Sequence, residues 1–128
     1  QALSSHAIDH VYAWDGEQPL SIDTLKLELR LEQTEGRGMC RDAVAKGMTV
    51  RFRQGGEQLR PHGRRHTHSL KKLMQEAGIP PWQRNRIPLI YIEHQLACVC
   101  GFWVAEAFAV GAEQCGWTPV CTQLSPPV

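Results

Sequence analysis

No stretch of this 128-residue sequence approaches the roughly 18 consecutive apolar residues that a membrane-spanning helix needs. No basic-then-apolar leader opens it. Gln1 rather than Met stands first, so a processed form or a fragment is expected. Cysteines are few and odd in number: Cys40, Cys98, Cys100, Cys115 and Cys121. None are spaced C-x-x-C, which argues against a zinc ribbon and against a paired disulfide framework. A reducing, cytoplasmic compartment is expected. Nucleophile elbows of the form G-x-S-x-G are missing. So are G-x-x-x-x-G-K-[ST] phosphate loops, S-G-G-x-D-S nucleotide loops and H-E-x-x-H metal motifs. "QGGE" at 54–57 lacks the hydroxyl and lysine that phosphate loops use. The sequence does not read as a self-sufficient enzyme.

Basic residues are absent from the last forty positions, 89–128, which carry three acids. Residues 1–50 carry five Lys or Arg against eight Asp or Glu. Between them, residues 51–88 hold nine basic side chains against Glu57 and Glu76. The net charge of +1 therefore conceals a concentrated anion-attracting segment with acidic flanks. Two acids cannot neutralise nine cations, so a polyanionic partner is favoured over a solvated charge run.

Hydrophobic residues make up 42% of the chain, enough for one domain with a real core. Ser4 and Ser5 suggest a linker, followed by a lead-in strand at Val11, Tyr12 and Trp14 that ends in the turn Asp15-Gly16. Residues 1–20 are thus read as linker and lead-in strand, and 21–128 as one domain. Leu25, Leu27, Leu29 and Leu31 alternate with Lys26, Glu28 and Arg30, the period of a half-buried strand. Val50 and Phe52 are expected to face a core, with Arg51 and Arg53 pointing the other way. Residues 35–38 and 60–68 read as loops. Over 69–77, Leu70, Leu73, Met74 and Ala77 form one apolar stripe of a short helix, with Thr67 or Ser69 as cap and Gly78 closing it. Pro80-Pro81 forbids continuation, and "WQRNR" makes a helical turn. "PLIYIE" and "LACVCGFWV" read as two strands, apolar on both faces, around a turn at His94-Gln95. One more short strand follows near Trp117 and Val120, and "SPPV" frays. The class is α+β: mostly antiparallel strands in a small sandwich-like sheet with one short amphipathic helix.

The basic segment carries the strongest functional signal. Arg51 and Arg53 share a strand face, Arg64 and Arg65 lie in the loop before the helix, and Lys71 and Lys72 lie in its first turn. Arg84 and Arg86 follow the Pro-Pro-Trp turn. Contacts to a sugar-phosphate backbone are supplied by such residues. His62, His66 and His68 invite a metal reading, but adjacent arginines oppose a dication and no acidic ligand is near. They read instead as solvated histidines facing nucleic acid. Cys40 reads as a buried or incidental thiol, and Cys98 and Cys100 as small buried hydrophobes. Trp82 is expected to pack on the core rather than stack on a base.

In order, Arg51-Phe52-Arg53 before Gly-Gly-Glu, Gly63-Arg64, Leu70-Lys71-Lys72-Leu73, Gly78-Ile79-Pro80-Pro81-Trp82, Arg84, Pro88-Leu89 and a strand ending at Gly101 resemble the C-terminal domain of bacterial tRNA(Ile)-lysidine synthetase. The resemblance implies an ATP-dependent ligase that attaches lysine to the wobble cytidine of the CAU-anticodon isoleucine tRNA. It further implies that ATP and Mg belong to an N-terminal catalytic domain of the parent, and that this part needs no cofactor. Its role would be to recognise tRNA(Ile) on the acceptor-stem side, without catalysing the reaction alone. Its fold would be related to a domain of the phenylalanine-tRNA synthetase β subunit. The expected tRNA-binding residues are Arg51, Arg53, Arg64, Arg65, Lys71, Lys72 and Arg84. Partners are then tRNA(Ile) and the chain's own N-terminal catalytic domain, with no membrane and no DNA. The alternatives are a DNA-binding helix-turn-helix, a domain that only docks its N-terminal partner, and a histidine-dependent hydrolase.

Overall fold

The computed structural model describes residues 11–124. The linker expected around Ser4 and Ser5 and the terminal "SPPV" lie outside the described residues. Within them, ten strands and three short α-helices follow in the order β1 (Tyr12–Trp14), β2 (Leu20–Ile22), β3 (Leu27–Glu35), α1 (Arg41–Ala45), β4 (Met48–Arg51), β5 (Gln58–Leu59), β6 (His68–Ser69), α2 (Leu70–Glu76), α3 (Pro81–Arg84), β7 (Leu89–Ile92), β8 (Gln95–Val99), β9 (Trp103–Val104) and β10 (Cys115–Gln123). A 3-10 turn, Glu106–Phe108, separates the last two strands. The fold is α+β and antiparallel throughout: a five-stranded sheet β1-β4-β7-β8-β9, a three-stranded sheet β10-β3-β2, and the small hairpin β5-β6.

The five-stranded sheet is buried on both faces because its central hairpin is apolar on both. Ile90, Ile92, Ala97, Cys98 and Cys100 meet Val50, Phe52, Ile22, Leu27 and Leu29 in one core. Leu89, Leu96 and Val99 face the opposite way, onto Leu70, Leu73, Met74, Ile79 and Leu59. Strict alternation would put Ala97 and Cys98 on different faces. A register shift at Ile90/Tyr91 reconciles them: Ile90 pairs with Cys98 but Tyr91 with Leu96, which leaves Ala97 as the extra residue of a bulge. Burial holds the Cys98 thiol protonated, with its pKa pushed up to about 12, in keeping with its expected role as a small core side chain.

Several local expectations shift. The leucine-rich strand starts at Leu27, not Leu25, because Lys26 takes a left-handed backbone (φ 57) to close the turn from β2. It then runs on to Glu35 because β10 pairs with it over nine residues, Leu27↔Gln123 through Glu35↔Cys115. β10 accommodates Pro119 on its side away from β3. Trp117 N–H donates to that side, to the Met39 carbonyl at 2.8 Å, and the Pro119 nitrogen two residues on points the same way. The hairpin turn falls at Glu93-His94, both at positive φ, rather than at His94-Gln95. α1 has no counterpart in the sequence pattern; it is one turn, with only Ala43 buried.

Phe52 is 1% exposed and packs where the two sheets meet. Phe52→Ala is expected to lower unfolding free energy by about 3–5 kcal/mol in urea titrations. A loss under about 1 kcal/mol would contradict the two-sheet core.

Candidate nucleic-acid interface

Antiparallel partners share a face, so the register Arg51↔Leu89 places Arg51 on the side of the sheet that α2 covers. Its guanidinium carbon lies 4.3 Å from the Tyr91 ring centroid, and its Nε is buried without a hydrogen-bond acceptor. Burial raises the Tyr91 pKa, Glu57 adds to this, and Arg51 opposes it. Beyond the end of β4, Arg53 Nε donates to Asn85 Oδ1 at 3.2 Å. Arg84 Nε donates to the Ile79 carbonyl at 2.8 Å. Arg51, Arg53 and Arg84 therefore form one half-buried group where β4 ends and β7 begins. Each has a fixed stem, and the donors left over on Arg53 and Arg84 remain for a ligand.

The second group surrounds α2. Ser69 caps the helix, its Oγ accepting the Lys72 N–H at 3.1 Å. Leu70, Leu73 and Met74 are buried, so Lys71 and Lys72 are turned to solvent. Among the described residues no acid pairs with Lys71, Lys72 or Arg65. Arg64 Nη1 lies 3.9 Å from Glu76 Oε1, both side chains nearly half exposed. Such a pair contributes at most about 1 kcal/mol and leaves the guanidinium open to competition.

The loop between β5 and β6 is not loose. His62 N–H donates to the Val104 carbonyl at 2.8 Å and Glu106 N–H to the Arg60 carbonyl at 2.8 Å. Arg60 Nε donates to the Arg64 carbonyl at 2.9 Å. Glu106 Oε1 accepts the Gly63 N–H at 3.0 Å and lies 3.0 Å from His62 Nδ1. The Gly63 amide first, then His62, hold the Glu106 carboxyl below the usual carboxylate range. His62 thus serves to position the loop that carries Arg64 and Arg65. Among the described residues, no three His, Cys, Asp or Glu side chains are grouped to hold a metal ion. The Gly-Gly turn is also occupied: Glu57 accepts Gln54 N–H at 2.7 Å and Gly55 N–H at 3.1 Å. A carboxylate seated on those amides leaves no cradle for a nucleotide phosphate.

Both groups lie on the α2 side of the five-stranded sheet. Three residues that shape this side escape the sequence pattern. Glu106 and Asn85 carry no pattern of their own and are found only through their partners. Trp82, expected on the core, is instead 76% exposed, because α3 is a single turn that buries none of its residues. No described helix is long and apolar enough to cross a membrane.

Residues 48–121 match the family model described as the TilS substrate C-terminal domain. The chain is 41% identical over 126 residues to the tRNA(Ile)-lysidine synthase of Coxiella burnetii, covering 98% of this chain and 27% of that protein. It is 42% identical over 113 residues to the enzyme of the same name from Methylococcus capsulatus, covering 84% and 26%. The chain thus spans about a quarter of the length of these relatives. A crystal structure of a TilS C-terminal domain superposes with a TM-score of 0.67 at 17% identity, over 91% of this chain and all of that one. That likeness is one of fold.

The Glu106 tether gives a signed pH dependence. A depressed folded-state pKa means the tether contributes above the ordinary carboxylate value and is lost as pH falls through the lower, folded one. The Gly63 amide resonance should titrate with a midpoint below that of a free glutamate, and Glu106→Gln should flatten it. A midpoint at the ordinary value would refute the tether.

Proposed function

The chain belongs to the tRNA(Ile)-lysidine synthase family, as its C-terminal domain, and from that premise we propose that it is the tRNA-holding module of a cytoplasmic ligase. The parent enzyme would use ATP and Mg in its N-terminal catalytic domain to attach lysine to the wobble cytidine of tRNA(Ile). This module would hold the acceptor-stem side of the same tRNA and perform no bond-making step itself. The observation that carries this reading is the pair Lys71 and Lys72, exposed at the start of α2 with no acid against them among the described residues.

An A-form stem offers phosphates, 2′-hydroxyls and shape rather than readable base edges. Flexible ammonium groups on a rigid helix suit phosphates that lie along a groove. Arg64 and Arg65, on the tethered loop, extend the same positive surface. The half-buried Arg51, Arg53 and Arg84 fix the ground beneath it, and the free nitrogens of Arg53 and Arg84 add further phosphate contacts. A helix-turn-helix reading fits poorly. α3 has four residues with Pro81 at its start, and β7 follows within a few residues, so no recognition helix is present there.

Replacing both Lys71 and Lys72 with Ala should weaken tRNA binding at low salt. It should also reduce the slope of log affinity against log salt by about two, one for each phosphate no longer neutralised. An unchanged affinity and slope would remove α2 from the interface.

A further inference from the structure

The turn that carries Trp82 is tied down at many points yet contributes nothing to the core. Pro80 (φ −60) and Pro81 preset its entrance. Gln83 N–H donates to the Pro80 carbonyl at 2.9 Å and Arg86 N–H to the Gln83 carbonyl at 3.0 Å. Arg84 grips the Ile79 carbonyl, Arg53 grips Asn85, and Arg86 Nη2 reaches the Leu25 carbonyl at 3.4 Å. Ile79, just before it, is buried against α2. A rigid turn therefore holds a large aromatic ring out in water. Its nearest charged neighbours in the chain are Arg84 and Arg86, and no Asp or Glu occurs between Glu76 and Glu93.

We propose that Trp82 is a stacking platform for an unpaired nucleotide of the bound RNA, adjoining the stem whose phosphates the basic groups hold. This rests on the RNA-binding reading and adds the RNA feature recognised. Bases inside a duplex are already stacked on each other and offer no free face. An unpaired base at an end or bulge does, and it can lie on an indole while Arg53, Arg84 and Arg86 meet its flanking phosphates. A partner protein's apolar surface fits less well, because burying Trp82 against it would also desolvate three guanidinium groups.

The test compares a tRNA with unpaired nucleotides beyond its acceptor stem and a blunt duplex of the same stem. Trp82→Ala should weaken binding of the tRNA about tenfold or more and leave the blunt duplex unaffected. Trp82→Phe, which keeps an aromatic face, should recover most of the loss. The chain has four tryptophans, so the fluorescence difference between wild type and Trp82→Phe isolates Trp82. That difference should be quenched by the tRNA and not by the duplex. Equal binding of tRNA by wild type and Trp82→Ala overturns the platform while the RNA-binding reading stands. So does an equal loss for both RNAs. If the wild-type chain binds neither RNA, both readings fall. Matching melting temperatures for the two variants and wild type establish that folding is not the cause.

Discussion

The double burial of the β7–β8 hairpin governs the rest of the molecule. A strand pair apolar on both faces needs a cover on each side. The three-stranded sheet supplies one, through Ile22, Leu27 and Leu29. The other comes from a helix of only two turns and a two-residue-per-strand hairpin, through Leu70, Leu73, Met74 and Leu59. A helix so short is not stable alone; its apolar stripe must dock, and docking fixes which side faces out. Lys71 and Lys72 are therefore presented by the same contacts that complete the core.

This arrangement sorts the cations by burial. Arg51 is packed on Tyr91 and Arg84 is bonded to a main-chain carbonyl, so their charges are held at fixed positions. Lys71, Lys72 and Arg65 stand at the surface, where ordering them costs side-chain entropy that a polyanion would have to offset. Arg64 lies between, with Glu76 as a weak competitor. The positive segment of the sequence thus becomes a surface with a bonded, half-buried base and solvent-exposed outer groups. Its own acids are engaged locally, since Glu57 caps the Gly-Gly turn and Glu76 lies against Arg64, while Glu106 from later in the chain tethers Gly63.

How much is legible in the sequence follows from which residues repeat. The stripe Leu70, Leu73, Met74 marks α2 to within one residue at each end, since a helical period is local. The alternating leucines mark β3, but its end at Glu35 is set by β10, a partner about ninety residues away in the chain. α1 has too few residues to show a period. β10 contains Gly116 and Pro119, which weaken any strand signal, and it exists because pairing with β3 outweighs them. The basic surface is visible as charge, while the Glu106 and Asn85 contacts that shape it are not, because each joins residues over thirty positions apart. Trp82 departs from expectation because hydrophobicity predicts burial only where the local backbone turns inward, and a Pro-Pro turn with bonded ends points it outward.

In the proposed function, RNA meets one side of the five-stranded sheet, the side built by α2, α3 and the tethered loop. Residue-resolved amide hydrogen exchange of the chain, with and without tRNA, addresses it directly. Slowed exchange is expected over 62–72 and 82–86, with no change along β3 and β10. Protection concentrated on the outer face of β3 and β10, or none anywhere under conditions of saturating tRNA, would contradict it.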